Sequence, residues 1–178
     1  EQSGLGDYTA KDMQKYLQGK QVRVTPTFDA YVRDVAGTTT PKDLPTAMEL
    51  IYMTFTNFNI TPDEFLASQK QYEGLLKNQE ANPEYIFQRD LTKALFTNPR
   101  KQALSAEAIE GATLEQTLEI ARKMTANAAD YTFFFAGNID MATFRPLVEQ
   151  YIATLPADAS KANKKPQFVE SLNIAPGD

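Results

Sequence analysis

Two acidic pairs, Asp63/Glu64 and Glu80/Glu84, are the nearest this sequence comes to a catalytic constellation. Paired carboxylates can divide acid and base work between them, as glycoside hydrolysis requires. Each pair also has a plainer reading. Asp63 and Glu64 follow Thr61-Pro62, where acids favour the positive end of a starting helix. Glu80 and Glu84 straddle Asn82-Pro83, so sequence spacing does not set their separation. The rest of the usual machinery is missing, because the 178 residues include no histidine and no cysteine. Ser-His triads, imidazole metal ligands, thiolate nucleophiles, disulfides and Cys-type zinc sites are all excluded. Carboxylates, Lys, Tyr and Ser/Thr remain. An oxygen-only cation site is allowed, but no acidic loop of EF-hand spacing is present.

Three further features admit a functional reading beside an ordinary one. Gly137-Asn138 could present a helix N-terminus to an anion, although a plain strand-to-helix turn accounts for it. Phe133 to Phe135 could line a ligand pocket, while a core strand is the ordinary reading. Lys161, Lys164 and Lys165 could form a docking patch or belong to a solvated linker. No residue is assigned a catalytic or metal-binding role, and substrate-binding residues stay unassigned.

Composition narrows the partners. Apolar residues make up 42% and aromatics 11%, enough for a packed core. A net charge of −5 argues against a protein that neutralises nucleic-acid phosphates. No apolar run approaches the roughly 18 to 20 residues of a membrane span, and the longest, Tyr131 to Gly137, is strand-sized. Neither nucleic acid nor membrane is expected as a partner. The chain begins at Glu1 rather than Met and carries no basic-then-apolar leader, so it is read as processed or excised from something larger.

The elements that must position these residues are mostly helices. Thr9 caps a short helix through Met13 and Leu17 to Gly19. Thr40-Pro41-Lys42-Asp43 starts a second, with Leu44, Ala47, Met48, Ile51, Tyr52 and Phe55 on one face. Thr61-Pro62-Asp63-Glu64 is a capping box for a third, which carries Phe65, Tyr72, Leu75 and Leu76. Asn82-Pro83 starts a fourth with Ile86, Phe87, Leu91, Ala94 and Leu95 inward. Thr113 with Gln116 opens a fifth through Leu114, Leu118, Ala121 and Met124. The last carries Met141, Phe144, Leu147, Val148, Tyr151, Ile152 and Leu155. Its start is either Thr143, leaving Pro146 in the first turn, or Asp140, requiring a distortion near Pro146.

Gln21 to Pro26 and Phe28 to Ala36 read as neighbouring strands, the second alternating through Phe28, Ala30 and Val32. Tyr131 to Ala136 is apolar on both faces, as a central covered strand would be. Helices with few strands predict an α+β or α/β layer structure. Ala157 to Pro166 reads as a linker, and Gln167 to Ile174 as one weak strand pairing outside this chain. No internal repeat is visible.

The segment from Asp130 to Pro156, DYTFFFAGNIDMATFRPLVEQYIATLP, resembles the strand-turn-helix-Leu-Pro stretch of insulinase-type (pitrilysin-type) zinc peptidases. Gly19-Lys20 with the VRVTP that follows, VAGTTTPKDLPTAMELIYMTFT, the helix at Asn82-Pro83 and the Pro99-Arg100 loop are similar to the non-catalytic half of the large bacterial members. The resemblance covers most of Ser3 to Pro156. It implies a two-layer α+β domain with a largely antiparallel sheet, in a protein whose two halves close around a peptide chamber. That family's active half carries H-x-x-E-H on a helix with a further Glu as third zinc ligand. Here no position can supply the two imidazoles. Glu64, Glu73 and Glu80 lie on the helix comparable to the one that bears the third ligand, and none is carried over.

The resemblance therefore implies a non-catalytic, chamber-forming domain, residues 1–156, lacking its N-terminal strands, with 157–178 leading into the next domain. No cofactor is expected in this fragment; zinc belongs to the catalytic domain of the full-length protein. The implied partners are other domains of the same polypeptide and the parent's peptide substrate, and the resemblance suggests a periplasmic address. A sheet short of strands is also expected to pair with another copy through its open edge. A peptide- or protein-binding scaffold of the same fold is the alternative. An unrelated carboxylate hydrolase is a third reading and requires an acid-base pair facing one cleft.

Overall fold

Side-chain caps set where the helices begin. In the computed structural model, which describes residues 4–28, 32–98 and 101–162, the Asp12 N–H donates to Thr9 Oγ1 at 3.2 Å. The Thr9 N–H donates back to Asp12 Oδ2 at 3.2 Å. This reciprocal box opens α1 (Ala10–Leu17), and Gly19, with φ of +78°, takes the left-handed turn beyond its end. Strands β2 (Val22–Phe28) and β3 (Arg33–Thr39) follow as an antiparallel hairpin, in register from Val22 opposite Thr39 to Phe28 opposite Arg33. Thr40 caps a single 3-10 turn at Pro41–Asp43 that runs into α2 (Leu44–Thr56). A two-residue ladder joins β1 (Gly4–Leu5) to β4 (Phe58–Asn59), also antiparallel.

The expected capping box at Thr61 is present: Thr61 N–H donates to Glu64 Oε2 at 2.9 Å and Glu64 N–H to Thr61 Oγ1 at 3.3 Å. It starts α3 (Pro62–Glu80). Asn82 caps α4 (Pro83–Leu95), Ser105 caps a short α5 (Ala106–Glu110) that the sequence reading did not include, and α6 spans Leu114–Thr125. Asp140, not Thr143, caps α7 (Met141–Leu147), its Oδ1 accepting the Ala142 N–H at 3.1 Å. Pro146 lies inside α7 and has no N–H to return to Ala142. The helix widens directly afterwards into a π turn at Val148–Ile152, closed by the Ala153 N–H on Val148 O at 2.9 Å.

Two compact units result. Among the described residues, the first runs to Glu64 and resumes at Leu114; the second spans Phe65–Thr113. In the first unit α2 is the central element, packed by β2, β3, α6 and the final helical turns. Thr46, Ala47, Met48, Leu50, Thr54 and Phe55 are buried, and Met48 is 0% exposed. Burial thus extends beyond the single face read from periodicity, because α2 has neighbours on several sides. In the second unit the fourth helix departs from expectation. Ile86 is half-buried, but Phe87, Leu91, Ala94 and Leu95 are exposed, Phe87 by 59%; no described segment lays an apolar cover over that stripe.

The α+β class holds, and both ladders are antiparallel. Three strand expectations change. Phe28 ends β2 rather than opening the next strand, Val32 is exposed, and β3 begins at Arg33 and extends to Thr39. Ala30, Lys164, Lys165 and Gln167 to Ile174 lie outside the described residues. Among the described residues, Tyr131 to Ala136 is extended but joins no ladder, and Phe134 on its outer face is 86% exposed. The linker's start is held down: the Asp158 N–H donates to Asn127 Oδ1 at 2.9 Å and Ala128 N–H to Pro156 O at 2.9 Å.

Met48→Ala is expected to remove about 2–5 kcal/mol of stability, since full burial of a long side chain leaves a cavity on truncation. Urea unfolding monitored by circular dichroism measures it.

Candidate functional site

The acids do structural work. Glu64 is the acceptor shared by two helix starts: besides closing its own box, its Oε1 takes the Ala10 N–H at the first position of α1, 2.6 Å away. Burial raises the Glu64 pKa, but the hydrogen bonds from Thr61 and Ala10 outweigh it and hold the carboxyl below its ordinary value. Asp63 is an exposed first-turn acid of α3. Glu80 pairs with Arg89 at 3.6 Å, and Glu84 accepts from Gln88 on its own helix at 3.3 Å. Glu73 sits half-buried on α3. Among the described residues no three acids converge in a way that could hold a metal ion, and the partners of Glu64, Glu80 and Glu84 are backbone, arginine and glutamine.

The turn at Gly137-Asn138 offers no anion site. The helix after it is only seven residues long, and the Asp140 carboxylate already occupies its N-terminal position. Lys161 pairs with Asp158 at 3.2 Å within its own loop.

What the fold does build is a groove. One wall is β3 along its full length, Arg33 to Thr39. The other is the extended segment Asp130 to Phe135. The floor is Leu44, Ala47, Ile51 and Phe55 of α2, and the enclosed volume is about 480 Å³. A second hollow of about 310 Å³ shares Gly37, Thr38, Thr39, Leu44, Phe134 and Phe135 and carries the groove on toward Ile139 and Phe144. Along the segment Tyr131, Phe133 and Phe135 are half-buried, while Thr132, Phe134 and Ala136 are exposed. Phe133 and Phe135 are fixed from below and from the end. The Phe55 ring meets Tyr131 at 4.8 Å and Phe133 at 5.6 Å, and Phe135 meets Phe144 edge-on at 5.1 Å. The phenylalanine run combines the two readings: Phe133 packs against the core cluster of Phe55, Ala128 and Leu155, and Phe133, Phe134 and Phe135 also line the groove.

Arg33 ties the two walls together at one end. It donates from Nη1 to Met124 O at 3.0 Å, approaches Asp130 at 3.9 Å and lies 5.8 Å from the Tyr131 ring centre. Burial raises the Tyr131 pKa, and its hydroxyl donates to Met124 O at 2.8 Å. Nothing in the sequence marks Arg33, because its partner lies 91 residues away. Among the described residues the groove holds no nucleophile paired with a base.

No protein-family model and no curated protein matches the chain. Solved structures do resemble it. The ferredoxin protease FusC, solved as a mutant in complex with Arabidopsis ferredoxin, matches with a TM-score of 0.71 and 18% identity over 88% of this chain and 17% of its own. The periplasmic protease PqqL from Escherichia coli matches with 0.74 and 18% over 90% of this chain and 18% of its own. A protease from Helicobacter pylori matches with 0.65 and 15% over 92% of this chain and 40% of its own. These are insulinase-like proteases, and at such identities the likeness is one of fold. The chain spans less than half the length of each.

Six carboxylates among the described residues, Asp12, Asp43, Glu64, Glu107, Glu119 and Asp158, are held below their ordinary pKa; for Asp12 the first cause is the Thr9 hydroxyl, for Asp43 the Gln21 N–H. A depressed folded-state pKa adds stability that is present above the unfolded value and lost as pH falls through the folded one. The melting temperature is expected to hold down to about pH 5 and then fall through the carboxylate range. Glu64→Ala removes an acceptor shared by two helix starts and is expected to cost about 1–2 kcal/mol at neutral pH and to flatten part of that acid limb. Calorimetry across pH checks both.

Proposed function

We propose that this chain is a non-catalytic, chamber-forming domain of a longer insulinase-type zinc metallopeptidase that degrades peptides, with the zinc site in another part of the full-length protein. One conjunction carries the reading: a fold like that of proteases of which it spans 17% and 18%, in a chain with neither histidine nor cysteine. Residues 1–156 then form the partial peptidase-type domain and 157–178 lead toward the next. A polypeptide substrate and a periplasmic address belong to the same proposal, since one neighbour was solved with a protein bound and another is periplasmic. In this role the chain contributes wall and shape, while the chemistry of a metal-bound water takes place elsewhere.

A second reading, a peptide- or protein-binding scaffold with no peptidase activity in the whole protein, is favoured by one observation: the groove between β3 and Asp130 to Phe135 has an apolar floor of Leu44, Ala47, Ile51 and Phe55 between walls of mixed polarity.

Zinc content and peptide cleavage, measured in parallel on this chain and on the longer polypeptide, separate the two. The longer polypeptide is expected to hold about one zinc and cleave unstructured peptides, while this chain does neither. An inert longer polypeptide overturns the peptidase reading in favour of the scaffold.

A further inference from the structure

α2 carries a single charged side chain, Glu49. Glu49 is half-buried, and tyrosines from three elements gather around it. Tyr16 of α1 donates its hydroxyl to Glu49 Oε2 at 2.6 Å. Tyr151, in the π turn that follows α7, lies near both: burial raises its pKa, and Glu49 and Tyr16 add to the rise. Tyr52, on α2 itself, meets Tyr151 edge-on with ring centres 6.1 Å apart. Tyr8 extends the cluster to the surface, its ring stacked on Tyr16 at 6.3 Å, and the two are 52% and 38% exposed. One phenol hydroxyl uses a fraction of what a carboxylate can accept. Among the described residues no lysine or arginine pairs with Glu49, although a carboxylate drawn partly out of water favours a cation beside it. The patch does attract one. Lys20 Nζ lies 4.0 Å from the Tyr16 ring centre, but it donates to Thr46 Oγ1 at 2.9 Å and not to Glu49.

We propose that Glu49 with Tyr8, Tyr16 and Tyr151 forms a recognition site for one arginine side chain of a polypeptide partner, the guanidinium donating to the carboxylate and lying against the exposed tyrosine rings. The chemistry selects that group. Glu49 repels an anion, and an apolar side chain would strip water from the carboxylate without replacing its hydrogen bonds. A guanidinium is planar and weakly hydrated, so it stacks on a ring while its edge donates to a carboxylate. A lysine ammonium is compact and strongly hydrated and meets only one of the two conditions at a time. The net charge of −5 favours the approach of a basic segment. None of these residues lines the groove, and the site does not depend on the peptidase reading.

NMR of isotope-labelled tyrosine rings tests this, in the full chain and in the longer polypeptide, with acetyl-Gly-Arg-Gly-amide as probe and its lysine and citrulline counterparts as controls. The arginine probe is expected to shift the Tyr8, Tyr16 and Tyr151 rings with a Kd on the order of 1–10 mM, weakening as salt is added. The lysine probe is expected to bind at least about threefold more weakly and the citrulline probe about tenfold. Glu49→Gln, which keeps an acceptor for the Tyr16 hydroxyl, is expected to weaken arginine binding about tenfold at an unchanged melting temperature. Tyr8→Leu is expected to weaken it about two- to fivefold. The proposal is overturned by an absence of ring shifts, by equal binding of the three probes, or by undiminished binding to the Glu49→Gln chain. Binding to the chain but not to the longer polypeptide overturns it as well, because another domain then covers the rings. A longer polypeptide without zinc or cleavage that still binds the arginine probe sinks the peptidase reading and leaves the arginine site standing.

Discussion

Backbone N–H and C=O groups in an extended chain must find partners, and among the described residues Tyr131 to Ala136 is an extended stretch that joins no ladder. α2 is the common floor. β2 and β3 lie over one part of it, α6 and the final helical turns over others, and Tyr131 to Ala136 over the rest through Phe55. A complete sheet would run continuously from β3 to that segment. Instead about 480 Å³ separates them. The side chains of the segment are anchored by aromatic contacts and its near end by Arg33, so its extended shape survives without the ladder that normally imposes it.

Local signals in the sequence were read well where the interaction that causes an element lies within a few residues. Thr9, Thr40, Thr61 and Asn82 cap the helices expected of them, and the periodic residues of α2 are largely core. The failures share a cause. Tyr131 to Ala136 has the composition of a central strand, but a strand is a relation between segments and no described segment pairs with it. Phe87, Leu91 and Leu95 have the spacing of a buried stripe, but burial needs a cover that no described segment supplies. At Pro146 the sequence left two starts open, and the Asp140 carboxylate decided it by capping first.

The site was legible by elimination more than by motif. Absence of imidazole and thiol removed the common hydrolytic and metal chemistries outright, and in the structure Glu64 closes a capping box, Glu80 pairs with Arg89 and Glu84 accepts from Gln88. Glu64 illustrates the limit. Its box with Thr61 is visible in four consecutive residues, whereas its bond to Ala10 spans 54 positions and makes the same carboxylate the acceptor for a second helix start. Arg33 is the same case at the groove. Long-range partners of this kind leave no spacing rule in a single sequence.

β3 and Tyr131 to Ala136 flank the groove with no ladder between them. Nuclear Overhauser effects between backbone protons test it most directly, because paired strands bring them within reach across the ladder spacing of about 4.8 Å. The account predicts cross-strand effects between β2 and β3 throughout the hairpin and none between β3 and residues 131–136. Strong effects between β3 and that segment, showing the two paired directly, would contradict it.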